Sequence, residues 1–148
     1  MLHAIVNKKA AFNYEVLERY EAGVVLAGYE VKALRAGLAN LTGAYVTLRD
    51  GAAYVRNAHI SLYQEANTPG DYEPTRERTL LLSKKELAAL HKQLNTAGLT
   101  IVPLKWHNKK RKIKLEIALV RGKKKADKRE SLKARDVKRD IARTLKEQ

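Results

Sequence analysis

The sequence contains no cysteine in its 148 residues. This absence excludes disulfide bonds, thiol nucleophiles and zinc sites built on cysteine. No apolar run approaches the roughly 20 residues that a membrane-spanning helix requires, and the apolar stretch at the N-terminus is too short for a secretory signal. A cytoplasmic protein without a membrane segment is therefore expected.

Motifs that carry catalysis or cofactor binding are also missing from the sequence. The glycines occur singly, without the cluster that cradles a phosphate. No histidine has metal-ligand spacing to another, and no serine lies in a nucleophile motif; the residues concerned are His3, His59, His91 and His107, and Ser61, Ser83 and Ser131. The sequence thus predicts a protein that is not an enzyme and that binds no cofactor and no metal.

Positive charge is what the chain has in excess. Its 30 Lys and Arg residues against 16 Asp and Glu give a net charge of +14. A surface this basic requires an anionic partner, and nucleic acid is the usual one. An apolar fraction of 45% in a chain of this length is enough for one folded domain with its own core.

The chain is organised around residues 21–37. Residues 23–26 are short, apolar and partly β-branched, which predicts a buried strand end with a bulge at its glycine. Val31 and Leu34 then share one face of a short helix that Gly37 ends. Three charged residues of this helix are expected on or beside its exposed face: Glu30, Lys32 and Arg35.

Alternating patterns and turn signals predict the remaining elements. Two hairpins are expected, 44–49 with 52–60 across Asp50-Gly51, and 99–106 with 112–120 across a basic tip at 107–111. Between them, residues 64–78 are expected to form a long loop and 79–82 a short apolar strand. Ser83 and Glu86 form a capping box that starts a helix, and Gly98 is expected to end it.

About six short strands with mostly antiparallel links predict a mainly β fold with short helices, of the α+β class. A small closed barrel of the oligonucleotide-binding type, over residues 1–120, fits this size and helix placement. Residues 121–148 differ in character, since they carry 12 Lys or Arg against 5 Asp or Glu and no aromatic residue. We expect this tail to be disordered when free and helical against a polyanion; the alternative is a tail that only confers solubility.

Lys109 to Lys112 follow Trp106 and His107, so phosphate-seeking charge lies beside rings that can stack on bases. Two roles of the Trp106 ring are equally compatible with its position. It could stack on RNA, or it could close the core of the barrel.

Several segments, in one register from Asn7 to about Arg143, resemble the family of small protein B, the SsrA-binding proteins. They are residues 7–10, 21–23, 28–35, 40–41, 73–76, 78, 80–82, 122–124 and 127–129. The resemblance implies a non-catalytic partner that clasps the tRNA-like domain of transfer-messenger RNA. With elongation factor Tu, such a protein delivers that RNA to stalled ribosomes, where the stalled peptide is tagged. A monomer is implied in the RNA complex.

The resemblance also implies roles for single residues. By position, Asn7, Glu21, Leu81 and Lys114 match RNA-binding residues, while Glu30, Lys32 and Arg35 match the signature helix. Gly122, Lys123, Lys124, Asp127, Lys128 and Arg129 match the start of a tail that the family lays into the empty mRNA channel at the decoding centre. The family often has His or an aromatic residue where this chain has Ala126, and commonly an aromatic residue where it has Val137. In this chain, charge and helix formation would therefore have to do more of the tail's work. A general ribosome-associated RNA-binding barrel remains the alternative.

Overall fold

The computed structural model of the chain describes residues 4–62 and 69–123, and those ranges hold three helices and nine strands. The helices are α1 (Lys8–Asn13), α2 (Gly28–Arg35) and α3 (Lys84–Leu94). The strands are β1 (Ile5–Val6), β2 (Tyr14–Val24), β3 (Ala39–Asn40), β4 (Tyr45–Arg49), β5 (Ala52–Arg56), β6 (His59–Ile60), β7 (Arg78–Leu81), β8 (Leu99–Lys109) and β9 (Lys112–Gly122).

Six strands form a closed antiparallel ring in the order β8, β4, β5, β7, β2 and β9, and β9 pairs with β8 to complete it. β1 adds to β8, and β3 and β6 form a separate two-stranded sheet. The closure is uneven, because β9 pairs with β2 and β8 along most of its length whereas β4 meets β8 at the register pair Val46–Ile101. The predicted fold class, mainly β with short helices around a small closed sheet of about six strands, is confirmed.

The core fills the inside of this ring. Alternate residues of β9, Leu115, Ile117 and Leu119, point into it and are 0–2% exposed. The same strand is also buried on its other face near its end, where Ala118 and Val120 pack under α1. The predicted pattern of one face in and one face out therefore holds only for the first part of β9, because a helix that the sequence analysis missed covers the rest.

The two long hairpins turn through residue pairs with left-handed backbone. Asp50 and Gly51 have φ of 51° and 75°, as the predicted Asp-Gly turn requires. Lys110 and Arg111 adopt the same conformation, with φ of 50° and 67°, although neither is a glycine. The predicted basic tip over 107–111 therefore narrows to these two residues, and β8 and β9 run right up to them.

The register shift in β2 lies between Val16 and Glu18, so the predicted bulge at Gly23 is wrong. Gly23 pairs regularly with both β7 and β9. The strand then ends at Val24, and Val25 is 51% exposed, so the predicted buried strand end is too long.

Two other elements end earlier than predicted. Asn57, with φ of 62°, separates β5 from β6 within the strand predicted over 52–60. The capping box at Ser83 is confirmed, but α3 ends at Leu94. Gly98, with φ of 84°, belongs to the turn that leads into β8, so the predicted helix end there is wrong.

Candidate nucleic-acid interface

The outer face of β2, β9 and β8 carries charged side chains from three strands that lie side by side. Residues directly opposite each other in antiparallel strands share a face. Glu21 is opposite Glu116, and Lys114 is opposite both Gly23 and His107. We call this surface the basic face; its members are Arg19 and Glu21 on β2, Lys112, Lys114 and Glu116 on β9, and Lys105, His107 and Lys109 on β8.

Glu21 is the less neutralised of the two carboxylates on the basic face. Its Oε2 accepts a hydrogen bond from Lys109 Nζ at 2.9 Å, and its Oε1 lies 3.6 Å from His107 Nε2. The pKa of Glu21 lies below its ordinary value, chiefly because Lys109 donates that hydrogen bond, and despite partial desolvation of the carboxyl. Within the described residues, Oε1 has no hydrogen-bond partner. Oε1 is thus a buried acceptor that has no hydrogen bond within the described residues, in a side chain that as a whole is 30% exposed.

Glu116, directly opposite, has both oxygens engaged. Arg19 lies 2.9 Å from its Oε1 and Lys105 lies 3.5 Å from its Oε2. The two carboxylates therefore differ in how many of their oxygens are paired with a cation. Both oxygens of Glu116 lie beside cations, whereas one oxygen of Glu21 is buried without a hydrogen bond within the described residues.

An apolar groove continues the basic face beyond Gly23. It is lined by Gly23, Val24, Leu26, Val31, Leu81 and Ile113, and by the cations Arg35, Arg111, Lys112 and Lys114. Leu81 is 57% exposed and so contributes accessible apolar surface to the groove. Apolar surface rimmed by cations suits a nucleotide, whose bases have apolar faces and whose phosphates are anionic.

Gly23 allows the groove residues to approach the strand closely. A Cβ at this position would lie 3.2 Å from Leu81 Cβ and 3.6 Å from Lys114 Nζ. The absence of a side chain at Gly23 therefore lets the side chains of Leu81 and Lys114, both predicted to bind RNA, lie close to the β2 backbone.

The helix α2 presents Lys32 and Arg35 to solvent as predicted, but Glu30 is 0% exposed, so its predicted exposed position is wrong. The Glu30 carboxylate accepts hydrogen bonds from the Ala27 N–H at 2.9 Å, from Arg78 Nε at 2.6 Å and from Arg76. It thereby caps its own helix and binds two arginines at once. This explains how a carboxylate is tolerated in the interior.

Arg78 is also 0% exposed and lies in β7, although the sequence analysis placed it in a loop. Its guanidinium donates to Ala58 O at 2.7 Å, Pro74 O at 3.0 Å and Tyr72 Oη at 3.0 Å. Burial alone would raise the pKa of Glu30, but the hydrogen bonds from Arg76, the Ala27 N–H and Arg78 outweigh it and lower that pKa. This ion network fastens residues 69–78 to α2, and α2 in turn places Arg35 in the groove.

Comparisons with known proteins agree with this architecture. A sequence profile described as SmpB protein matches residues 4–147. The chain belongs to the SmpB protein family. An SsrA-binding protein of Sulfurihydrogenibium sp. is 49% identical over 140 residues, covering 95% of this chain and 91% of that protein. One of Trichodesmium erythraeum is 46% identical over 141 residues, covering 95% and 90%.

A solved structure is also similar to this SmpB family chain. It is described as "tmRNA-SmpB: a journey to the center of the bacterial ribosome". It matches with a TM-score of 0.69 and 39% identity, and the match covers 87% of this chain and 94% of that one. Fold and sequence thus lead to the same family.

Asn7 lies away from the basic face and is 6% exposed. Its side chain donates to Pro103 O at 2.9 Å and Leu41 O at 3.2 Å, and accepts from the Ala10 N–H at 3.3 Å as the N-cap of α1. Both side-chain N–H groups and the side-chain oxygen of Asn7 are thus engaged within the chain. Any effect of Asn7 on RNA in this SmpB chain would therefore act through the position of α1.

Trp106 is 0% exposed and belongs to the core cluster. A ring without exposed surface cannot stack on a base, so of the two roles considered for Trp106 the structure supports closure of the core. The prediction that Trp106 contacts RNA is therefore wrong.

Of the residues predicted to begin the tail, the structure describes only Gly122 and Lys123, at the end of β9. Gly122 is the last residue of the strand and pairs with Tyr14, and the Lys123 N–H donates to Asn13 O at 2.9 Å. Both are continuous with the barrel, because β9 extends two residues past the boundary predicted after residue 120. Lys124, Asp127, Lys128 and Arg129 lie outside the described residues.

In residues 4–62 and 69–123, no cluster of three or more His, Cys, Asp or Glu side chains is arranged to hold a metal ion. None of the helices in those ranges is long and apolar enough to cross a membrane.

Sequence reasoning missed Arg19, Lys105 and Glu116 as members of the basic face and gave His107 no partner. A signal was available in the hairpin register. A two-residue turn at 110–111 fixes which residues of β8 and β9 are opposite each other, and so brings Lys105, His107 and Lys109 beside the outward residues of β9. The contribution of β2 depends on a register shift that no local pattern indicates.

Proposed function

We propose that this SmpB family chain binds the tRNA-like domain of transfer-messenger RNA through the basic face and the adjoining groove. It then accompanies that RNA to stalled ribosomes in trans-translation. The proposal is supported by one observation above all: a partly exposed carboxylate, Glu21, lies among lysines on a fold shared with SsrA-binding proteins, and within the described residues one of its oxygens has no hydrogen-bond partner.

The chemistry of the face divides into affinity and selectivity. Lys105, Lys112 and Lys114 attract phosphates of any RNA, because their charge is indifferent to sequence. A carboxylate repels phosphate and accepts only from donors such as base N–H groups or 2′-hydroxyls. Glu21 is therefore the group that distinguishes one folded RNA from another, and Leu81 adds apolar contact to an unstacked base or ribose.

The protein acts in this scheme as a binding partner and not as an enzyme. We place elongation factor Tu in the delivery complex, one copy of the chain on each RNA, and the whole process in the cytoplasm. Residues 124–148, with Lys124, Asp127, Lys128 and Arg129 at their start, are proposed to enter the mRNA channel, where ribosomal RNA phosphates would neutralise their charge and favour a helix.

The test is competition between RNAs. Binding of labelled tRNA-like-domain RNA is measured at physiological salt with bulk tRNA or duplex DNA in excess, and again at two higher salt concentrations. The proposal predicts that the cognate RNA resists the competitors by orders of magnitude at every salt concentration. Equal displacement by all three, with affinity collapsing alike as salt rises, would reduce the chain to a general RNA-binding barrel.

A further inference from the structure

The groove beyond Gly23 is lined by two kinds of element. Gly23, Leu81 and Lys114 stand in one row of paired strands, because Gly23 is opposite Leu81 on β7 and Lys114 on β9. Backbone hydrogen bonds therefore fix the distances between these three residues. The helix α2 lies outside the sheet and adds Val31 and Arg35 to the lining. The shape of the groove thus depends on how α2 is held over the strands.

Two kinds of contact hold α2 in place. Ala33 and Leu34 are 0% exposed and pack in the core cluster, but apolar burial is not directional. Glu30, on the same helix, supplies directional bonds, because its carboxylate accepts from Arg78 Nε at 2.6 Å. Arg78 is the first residue of β7, the strand that carries Leu81. The ion network therefore ties α2 to a strand that lines the same groove.

The two arginines that bind Glu30 have different surroundings. Arg78 is 0% exposed, and its guanidinium also donates to two backbone carbonyls and to a tyrosine hydroxyl. Arg76 is 35% exposed and contacts both carboxylate oxygens, since its Nε lies 3.1 Å from Oε2 and its Nη2 donates to Oε1. Without Arg76, Glu30 would still accept from Arg78 and from the Ala27 N–H. Loss of Arg76 is therefore expected to loosen α2 without leaving the buried carboxylate unpaired.

We propose that Arg76 is a positioning residue for RNA binding, because its two-point contact with Glu30 sets where α2 holds Val31 and Arg35 in the groove. This rests on the proposed function of the groove. The planar fork of a guanidinium matches both oxygens of a carboxylate, which the point charge of a lysine does not. Among the described residues, Arg76 is not part of the groove lining, so its effect on RNA passes through the helix.

The experiment compares Arg76→Lys with Arg56→Lys in the full chain, since both substitutions keep the net charge. Arg56, which is 51% exposed and lies 4.0 Å from Glu77, is the matched control. Kd is measured for tRNA-like-domain RNA and for bulk tRNA at physiological salt. Arg76→Lys is expected to raise Kd for the tRNA-like-domain RNA by about fivefold, less than the full effect of one charged hydrogen bond. Kd for bulk tRNA should stay the same because charge is conserved, and Arg56→Lys should change neither value.

Two further measurements separate positioning from direct contact. In the Leu81→Ala background the groove has already lost an apolar contact, so Arg76→Lys is expected to raise Kd for the tRNA-like-domain RNA by a smaller factor, about twofold. In NMR spectra of the free protein, the methyl resonances of Val31 are expected to shift in Arg76→Lys and to stay in place in Arg56→Lys.

An unchanged Kd for the tRNA-like-domain RNA in Arg76→Lys, or an equal rise for both RNAs, would overturn the inference and leave the proposed function standing. An effect that is undiminished in the Leu81→Ala background would also overturn it, because independent contacts add. Failure of Arg76→Lys to fold would contradict the division of roles between Arg76 and Arg78.

Equal binding of both RNAs by the unmodified protein would instead overturn the proposed function. The Val31 methyl resonances still decide the inference in that case. A shift in Arg76→Lys alone supports the positioning of α2 by Arg76, and unchanged resonances overturn it.

Discussion

Glu30 shows how one buried carboxylate holds α2 against the segment that carries Arg76 and Arg78. Replacing it by Gln keeps its shape but leaves the fully buried Arg78 without a counter-charge. We expect Glu30→Gln to lower the free energy of unfolding by about 3–5 kcal/mol at pH 7, measured by urea denaturation. Glu77→Gln, in a partly exposed pair with Arg49 at 3.0 Å, is the control and is expected to cost about 1 kcal/mol or less.

The lowered pKa of Glu30 predicts how the free energy of unfolding changes at acid pH. Because the folded-state pKa of Glu30 lies below its ordinary value of 4.5, its contribution is present above that pH and is lost as pH falls through the lower folded-state value. The stability difference between the unmodified protein and Glu30→Gln should therefore be constant near neutrality and narrow below about pH 4.5. A difference that widens on acidification would show that the sign of the shift is wrong.

Gly23 allows a test of how closely the groove is packed. In Gly23→Ala the new Cβ meets the Cβ of Leu81, an atom that cannot rotate away, so we expect a loss of about 1 kcal/mol in urea denaturation and weaker RNA binding. Gly28→Ala is the control, since nothing lies within 4 Å of its added Cβ at the start of α2. It should be neutral or stabilise by about 0.5–1 kcal/mol. Equal behaviour of the two variants would contradict the close approach at Gly23.

Single residues were predictable from the sequence only where their partners are near in the chain. Ser83 and Glu86 form their capping box across three positions, and that prediction is confirmed. Glu30 was placed on an exposed face because a charged residue in a short helix usually lies there. Its partners Arg76 and Arg78 are far along the chain, in a segment that looked like a loop, and no periodicity connects them.

At the scale of elements, the β8–β9 turn adopts left-handed backbone with two long basic residues. Replacing Lys110-Arg111 by Asn-Gly supplies the residues that such a turn favours, so we expect stabilisation by about 1 kcal/mol in urea denaturation. Removing two positive charges should also weaken binding of cognate RNA and bulk tRNA alike. Unchanged or lowered stability would mean that the turn is not under backbone strain.

Elements with strong local signals were predicted correctly, and those without them were not. The Asp50-Gly51 turn and the apolar alternation in the first part of β9 came directly from the sequence. The helix α1 has six residues and β1 has two, which is too short for either period to be recognised. Asn7 at the N-cap was the available signal for α1, and it was taken only as part of a basic entry segment.

At the scale of the whole molecule, the boundary of the barrel predicts how truncations behave. A chain ending at Lys123 keeps the last pairs of β9 and the hydrogen bond from the Lys123 N–H to Asn13 O. A chain ending at Val120 loses them and should be less stable by about 1–3 kcal/mol in thermal or urea unfolding. Both should lose peptide tagging in a trans-translation assay, if residues 124–148 act as proposed. Equal stability of the two would place the boundary where the sequence alone suggested.

The fold class was predictable because hairpins and alternation specify an antiparallel sheet, and a sheet of about six strands can close on itself. The way in which three strands assemble the basic face was not, because it depends on the pairing of β2 with β9 across about a hundred residues of chain. The net charge of +14 indicated an RNA partner, but net charge does not reveal which carboxylate has an oxygen without a hydrogen bond.

The measurement that tests the central claim most directly compares Glu21→Gln with Glu116→Gln. The two substitutions remove the same charge from directly opposite positions of one face. Both oxygens of Glu116 lie beside cations, whereas Glu21 Oε1 is buried without a hydrogen-bond partner within the described residues. Binding of tRNA-like-domain RNA and of bulk tRNA is measured at physiological salt for both variants and the unmodified chain. We predict that Glu21→Gln lowers the preference for the cognate RNA by roughly an order of magnitude, whereas Glu116→Gln largely keeps it. Equal preference in all three proteins would contradict the claim that Glu21 selects the RNA.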